Sequence, residues 1–258
     1  MGLVPMLLAT YPLWRRDIVR FYRQPSRIAG ALGTPVIFWL LLGSGLGTSF
    51  RAATPGATET GYLDYFYPGT LALILLFTAI FSTISVIEDR RDGFLQGVLV
   101  APVPRVSIAL GKIFGGATLA LLQAAIFLLL APAANVHLNW AMLPMLMVVL
   151  GALAFALTGL GFILAWILDS TQGFHAVMNL FLLPMWLLSG AVFPADGAAG
   201  WIRGVMFVNP MTYGITAIRG ILTAGEMPLG DKIAQPLLFI GLFGLLTLAG
   251  STWSVTRR

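Results

Sequence analysis

Five charges stand in a row at Glu88, Asp89, Arg90, Arg91 and Asp92, in a chain of 258 residues with 15 Lys and Arg and 10 Asp and Glu in all. Asp89 and Asp92, at i and i+3, share a helix face, and two such carboxylates could hold Mg²⁺ for an intramembrane transferase. Arginines intervene, however, and a diphosphate-handling site calls for more carboxylates than this one. Gly111 and Lys112 have the order of a phosphate-binding loop, but Val106 stands where its first glycine belongs and Ile113 where its hydroxyl belongs. ATP binding by that route is excluded. With no cysteine there is neither a disulfide nor a thiolate metal site. The two histidines, His137 and His175, fall on opposite sides of the membrane in the topology derived below, so they cannot share a metal or form a dyad. Asp169, followed by Ser170 and Thr171, reads as a helix stop. No catalytic residue, metal or cofactor is expected on this chain.

The elements that position these residues are set by the solvent. Of the residues 58% are hydrophobic and 10% charged, with mean hydropathy +0.90. A water-facing domain carries roughly 25% charged residues, so this chain is read as a membrane protein. Six segments approach the ~20 apolar residues a crossing helix needs: 28–50, 67–87, 106–131, 141–168, 174–193 and 234–254. Lys112, just inside the third, is expected to snorkel to the surface, and the long fourth segment to tilt or protrude. With both termini on one side, that side holds Arg15, Arg16, Arg20, Arg23, Arg27, Arg90, Arg91, Arg105, Lys112, Arg257 and Arg258. The other holds Arg51, Arg203, Arg219 and Lys232. The positive-inside rule makes the first side cytoplasmic. Tyr62, Tyr65, Tyr67 and Tyr213 then fall outside, as an interfacial aromatic belt would. A cleavable leader is not expected, because the apolar start precedes the basic residues. The fold class is all-α, a single polytopic membrane domain over 1–258, in the cell (inner) membrane. None of the six spans carries Asp, Glu, Arg or His near its centre, which argues against a proton- or ion-coupled pump.

Three pieces are not spans. Residues 13–27 form an amphipathic helix with Trp14, Ile18, Phe21 and Tyr22 on one face and Arg16, Arg20, Arg23 and Arg27 on the other. It reads as an interfacial helix with its arginines on anionic headgroups, either a simple anchor or a lever to a cytoplasmic partner. Residues 184–220 are apolar but broken by Pro184, Gly190, Pro194, Gly197, Gly200 and Pro210. They read as a re-entrant outer pair of short helices or as an external loop. The third piece is "GFLQGVLV", directly after the five charges. Phe94, Leu95, Val98 and Leu99 make one face of a two-turn helix, which the prolines of "APVP" stop. That face either rests on the bilayer or plugs a groove of a cytoplasmic protein.

The order of these parts resembles the membrane subunit of ABC-2 type exporters. "EDRRDGFLQGVLVAPVPRVSIALGK" is similar to the family's cytoplasmic segment, an acidic-basic run and Gly before a short helix, then a Pro-x-x-Arg turn and Gly-Lys. "LSGAVFPADGAAGWIRGVMFVNPMTYGITAIRG" is similar to its outer segment. The family often has Thr-Leu-Glu after its first motif's Gly, where this chain has "GFLQ". The resemblance implies that the short helix is a coupling helix docked on a separate ABC ATPase subunit, with ATP and Mg on that partner. It implies a homodimer of permease chains that moves a hydrophobic or amphipathic substrate (a drug, lipid or lipid-linked glycan) outward, with no nucleic acid involved. Glu88, Arg91, Phe94, Leu95, Val98, Leu99 and Arg105 would contact the ATPase, Arg16 and Arg20 would act on the amphipathic lever, and Pro194, Trp201, Asn209, Pro210 and Tyr213 would shape an outer gate. The competing readings are an ATP-independent channel or carrier, an intramembrane enzyme and a membrane scaffold.

Overall fold

In a computed structural model, residues 3–53, 62–134, 136, 138–194, 197–223 and 230–257 are described, and they contain helices and no strand. In chain order the α-helices are α1 (Leu3–Tyr22), α2 (Pro25–Ala53), α3 (Tyr62–Ser82), α4 (Ile84–Arg91), α5 (Phe94–Val100), α6 (Arg105–Leu128), α7 (Leu143–Ile167), α8 (Thr171–Leu187), α9 (Gly200–Val208), α10 (Pro210–Thr223) and α11 (Asp231–Arg257). Among the described residues five stretches are long and apolar enough to cross a membrane: Ile28–Gly45, Tyr62–Arg91, Arg105–Leu128, Trp140–Ile167 and Ile233–Arg257. The chain is therefore a multi-pass membrane protein. The expected span over 174–193 is instead the 17-residue α8, roughly 25 Å long at 1.5 Å per residue. It ends early because Gly190 takes a left-handed turn at φ 81°, which a residue with a Cβ rarely adopts.

The second expected span runs on to Arg91 and breaks once, at Thr83. There the Thr83 and Ser82 hydroxyls donate to the carbonyls of Ile80 and Ala79 at 2.6 and 2.7 Å, competing with the helix's own bonds. The α3–α4 stretch is the central post, most of its apolar residues being buried, whereas most of those of α2 are not. Side-chain pairs fix the register. Antiparallel to α3 runs α6, with Thr78 bonded to Gln123 and Tyr67 to the Phe127 carbonyl. Also antiparallel to α3 is α8, with His175 beside Phe81 and Trp186 bonded to the Gly69 carbonyl. Parallel to α7 runs α11, Gly159 facing Thr247 and Gly250 facing Ile163. The starts of α2, α6 and α8 and the ends of α4, α7 and α11 thus gather at one end of the bundle, together with α5.

Two expectations change here. Tyr62 and Tyr67 are no interfacial belt, being 2% and 0% exposed. Their hydroxyls donate inward to the carbonyls of Val192 and Phe127, because a phenol in an apolar core needs an acceptor. The amphipathic helix starts ten residues earlier than expected and stops at Tyr22, leaving Arg23 in a two-residue joint. Arg27 falls in α2 and Arg51 in the same helix, Lys232 in α11, and their side chains lie outside the described residues, as do His137 and Arg258 altogether.

Candidate functional site

The site grows from α1. Its inward stripe is Met6, Thr10, Leu13 and Asp17, at steps of four, three and four, the repeat of one helix face. The stripe lies along the first four turns of α6: Ser107 Oγ donates to the Met6 carbonyl at 3.1 Å, and Trp14 Nε1 to Thr118 Oγ1 at 3.1 Å. Close approach depends on two glycines. A Cβ at Gly111 would sit 2.7 Å from Leu13 Cβ, and one at Gly115 3.1 Å from Asp17 Cβ. The Gly-x-x-x-Gly spacing here seats a helix of the same chain.

That packing brings Asp17 to Lys112. Rather than snorkelling, Lys112 is 3% exposed. Its ammonium donates to Asp17 Oδ1 at 2.8 Å, to Asp89 Oδ2 at 2.5 Å and to Ser85 Oγ at 3.2 Å. Three partners for three N–H groups satisfy a buried ammonium, which removes the drive to reach water. Asp89, fully buried, also accepts from Arg16 Nη1 at 2.6 Å and Arg20 Nη1 at 2.9 Å, while Arg20 Nη2 lies 3.0 Å from Glu88 Oε2. Three acids (Asp17, Glu88, Asp89) thus meet three bases (Arg16, Arg20, Lys112). Arg16 and Arg20, expected on lipid headgroups, turn inward instead; Arg15 and Arg23 remain exposed.

Burial pushes the Asp17 carboxyl above its ordinary value of 3.8, with Lys112 beside it opposing the rise and Asp89 adding to it. A carboxyl raised on folding contributes stability that is complete below its unfolded value and lost as pH rises through the folded one. Asp17→Asn keeps an acceptor for Lys112 and stays neutral. It is expected to melt within about 1 kcal/mol of wild type, with its stability relative to wild type improving steadily as pH is raised from about 4 to about 7. Thermal melts of both proteins over that range check it.

The charged run that opens the site is two-sided. Glu88 and Asp89 face α1 and α6, whereas Arg90 and Arg91 face the α7–α8 joint. Arg90 donates to Asp169 Oδ1 at 2.6 Å and to the Trp166 carbonyl at 2.8 Å, and Arg91 to the Asp169 carbonyl at 3.2 Å. Beyond Asp92, Gly93 turns the chain at φ 76°, and α5 follows. Its expected apolar face is turned onto the chain's own body. Leu95 is 2% exposed; Phe94, Val98 and Leu99 pack against the core, and the Arg16 guanidinium sits 3.7 Å over the Phe94 ring. What looks outward is Gln96, Gly97 and Val100, then Ala101 and Pro102. Arg105 opens α6 half-buried, one guanidinium nitrogen without a partner among the described residues.

At the opposite end, Asn209 caps α10 and ties it to α8. Its Nδ2 donates to the carbonyls of Met185 and Leu188 at 2.6 and 3.0 Å, and its Oδ1 accepts from the Met211 amide. Pro210 is buried in the first turn of α10, a position without need of an N–H. Tyr213 stacks on Phe239 at 3.9 Å and donates to the Phe207 carbonyl. Pro194 and Trp201 are exposed. The expected pair of short helices is therefore α9 and α10.

The model of the ABC-2 type transporter family matches residues 9–223, from α1 to α10. The chain belongs to this family. Among relatives of this ABC-2 permease are a putative transport permease, ycf38, of Cyanophora paradoxa, 29% identical over 81% of this chain and 72% of the relative, and Nodulation protein J of Rhizobium leguminosarum bv. viciae, 28% identical over 89% and 86%. A probable multidrug ABC transporter permease, YbhR, of Escherichia coli K12 is 27% identical over 58% of this chain and 42% of its own. The family accounts for a membrane chain with no nucleotide loop. The Asp17–Lys112–Asp89 cluster lies within the matched residues. Sequence reading missed that cluster because its members lie up to 95 positions apart; the one available signal was a lysine placed seven residues inside an apolar segment.

Proposed function

We propose that this ABC-2 permease chain exports a hydrophobic or amphipathic substrate, driven by a separate ATPase subunit that docks on α5. The observation that carries this reading is the outward surface of α5. Val100 is 87% exposed, and Gly97, in the middle of a seven-residue helix, has nothing within 4 Å of where a Cβ would stand. A glycine there weakens the helix by roughly 1 kcal/mol and leaves a flat surface on which another backbone can lie. Phe94, Leu95, Val98 and Leu99 anchor α5 from within, while Arg91 and Arg105 flank its outer face as polar contacts for the partner. Arg16 joins α1 to α5 over Phe94, and Arg20 with Glu88 joins α1 to α4 just before it, so α1 moves with both. ATP and Mg act on the partner.

In this reading α2, α3–α4, α6, α7, α8 and α11 make six crossings, with α5 and both termini on the cytoplasmic side of the cell membrane. Two copies meet through α2 and α8, whose outward faces carry Ile37, Phe38 and Leu41 and Leu180 and Phe181. A cavity of about 540 Å³ lies between α2, α3 and α8, lined by Phe21, Pro35, Phe77, Phe81 and Ile84 with Thr34, Thr78, Glu88 and His175 among them. An apolar wall with a few polar groups suits an amphipathic cargo such as a drug, a lipid or a lipid-linked glycan. Pro194, Trp201, Asn209, Pro210 and Tyr213 form the outer gate.

Gly97→Leu tests the docking. The substitution fills open space, so the purified permease is expected to melt at or slightly above the wild-type temperature. Co-purification of the companion ATPase is expected to drop at least tenfold, a loss of about 1.4 kcal/mol or more. An unchanged complex with the leucine in place would remove α5 as the docking element. Transport by the purified chain with no ATPase would favour the channel or carrier reading instead.

A further inference from the structure

The helix that walls the cavity is lightly held. One stripe of α8, namely Phe174, Met178, Leu182 and Trp186, is buried, while Leu180, Phe181 and Leu183 are 70%, 63% and 43% exposed. Its firm polar attachments are at its ends. Near its start, Arg90 donates Nη1 to Asp169 and Nη2 to the carbonyl of Trp166, with its guanidinium 5.2 Å over the Trp166 ring. Leu168 leaves the helix with ψ 134°, so the last carbonyls of α7 lack intrahelical partners and the arginine fork supplies one. The joint from α7 to α8 is three residues, Leu168 to Ser170, and Ser170 Oγ accepts the Gly173 amide to begin α8. At the far end, Asn209 donates to the carbonyls of Met185 and Leu188. A short helix anchored at both ends and loosely packed between them moves as a unit when one end is shifted.

Arg90 stands at the right place to shift it. It is three residues before Gly93, whose amide donates to the Arg90 carbonyl at 3.3 Å and whose left-handed turn starts α5. The acids on either side of the chain's charged run are taken by α1 and α6, so Arg90 and Arg91 are the side chains of that run that reach the α7–α8 joint. We propose that Arg90 is a positioning residue which transmits displacement of α5 to α8, and that α8 acts as a rigid strut that changes the width of the cavity and carries the movement to α9 and α10 through Asn209. Thr171, Gln172 and His175 of α8 face α2 and α3 across that cavity, so movement of the strut changes its width directly.

The natural chain has no cysteine, so spin labels can be placed on the exposed Asn179→Cys in α8 and Val148→Cys in α7 without removing any native thiol. The first arm uses the permease alone in lipid nanodiscs. Arg90→Ala is expected to broaden a single narrow label distance into several, and Arg90→Lys, which keeps the ion pair and loses the fork, to broaden it less. The second arm uses the complex with its ATPase and rests on the function proposed above. Vanadate trapping is expected to shift the wild-type distance; in Arg90→Ala that shift is lost while assembly and ATP hydrolysis stay within twofold of wild type. With Asn209→Leu the α8 shift is expected to remain, while a label on Trp201→Cys no longer follows. A narrow distance in Arg90→Ala, or a shift on trapping in Arg90→Ala as large as that of the wild type, overturns the proposal. Loss of assembly would overturn it too, by moving Arg90 to the docking surface. If the first arm succeeds and no ATPase binds even the wild type, the clamp stands and the partner-driven reading falls.

Discussion

Lys112→Met is expected to be the most damaging single substitution in the chain. Methionine matches the length of the lysine stem and leaves the packing in place, but Asp17 and Asp89 then face each other inside the protein. Removing one member of a buried charge pair costs about 3–5 kcal/mol, and here two carboxylates lose the same cation. Asp89 keeps Arg16 and Arg20, whereas Asp17 keeps no comparable partner and will take up a proton. Adding Asp17→Asn to Lys112→Met is therefore expected to recover a good part of the loss, and adding Asp89→Asn to recover less, since that change takes the carboxylate from Arg16 and leaves Arg20 with Glu88. Detergent melting curves of the single and double variants, read as a double-mutant cycle, decide this. Equal rescue by the two asparagines would mean that the acids are interchangeable and that the cluster has no order.

That cluster marks the limit of what could be read in one dimension. Hydropathy located α2, α3, α6, α7 and α11 because a crossing helix satisfies its own backbone and needs only apolar side chains. "GFLQGVLV" gave α5 by its spacing, and the prolines and glycines after Pro184 gave the broken hairpin of α9 and α10. These are local signals. The orientation of faces was not local. Phe94, Leu95, Val98 and Leu99 have the same pattern whether they meet a partner or their own bundle, and the deciding contact, Arg16 over Phe94, comes from a residue 78 positions earlier. Lys112 likewise reads as a boundary residue until Asp17 is folded onto it. Tyr62 and Tyr67 read as belt residues because an outward and an inward phenol look alike in sequence; acceptors at Val192 and Phe127 turn them inward. The end of α8 was missed for a different reason: the apolar run continues past Leu188, and the helix is stopped by backbone conformation, ψ 34° at Leu188 followed by the left-handed turn at Gly190.

Gly111→Leu is expected to unseat α1 without touching a charge. A Cβ at this position would meet Leu13 Cβ at 2.7 Å and the Thr10 carbonyl oxygen at 3.1 Å. One of these is backbone, so α1 itself must shift. Overpacking of this kind costs typically about 1–3 kcal/mol, but the shift also draws Asp17 from Lys112 and Arg16 from Asp89, and those buried charges then lose partners they cannot replace. The total loss is expected to approach that of Lys112→Met. Gly33, on the neighbouring α2, has nothing within 4 Å of a built Cβ, and Gly33→Leu is the control, expected to melt as wild type. The two readings of α1 separate cleanly under this comparison. If α1 merely floats on headgroups, both glycine variants behave alike, and proteolysis at the exposed Arg15 and Arg23 is the same in each. If α1 is part of the bundle, Gly111→Leu alone opens those arginines to trypsin, and Gly111→Leu combined with Lys112→Met is little worse than either, because each breaks the same joint between α1 and α6.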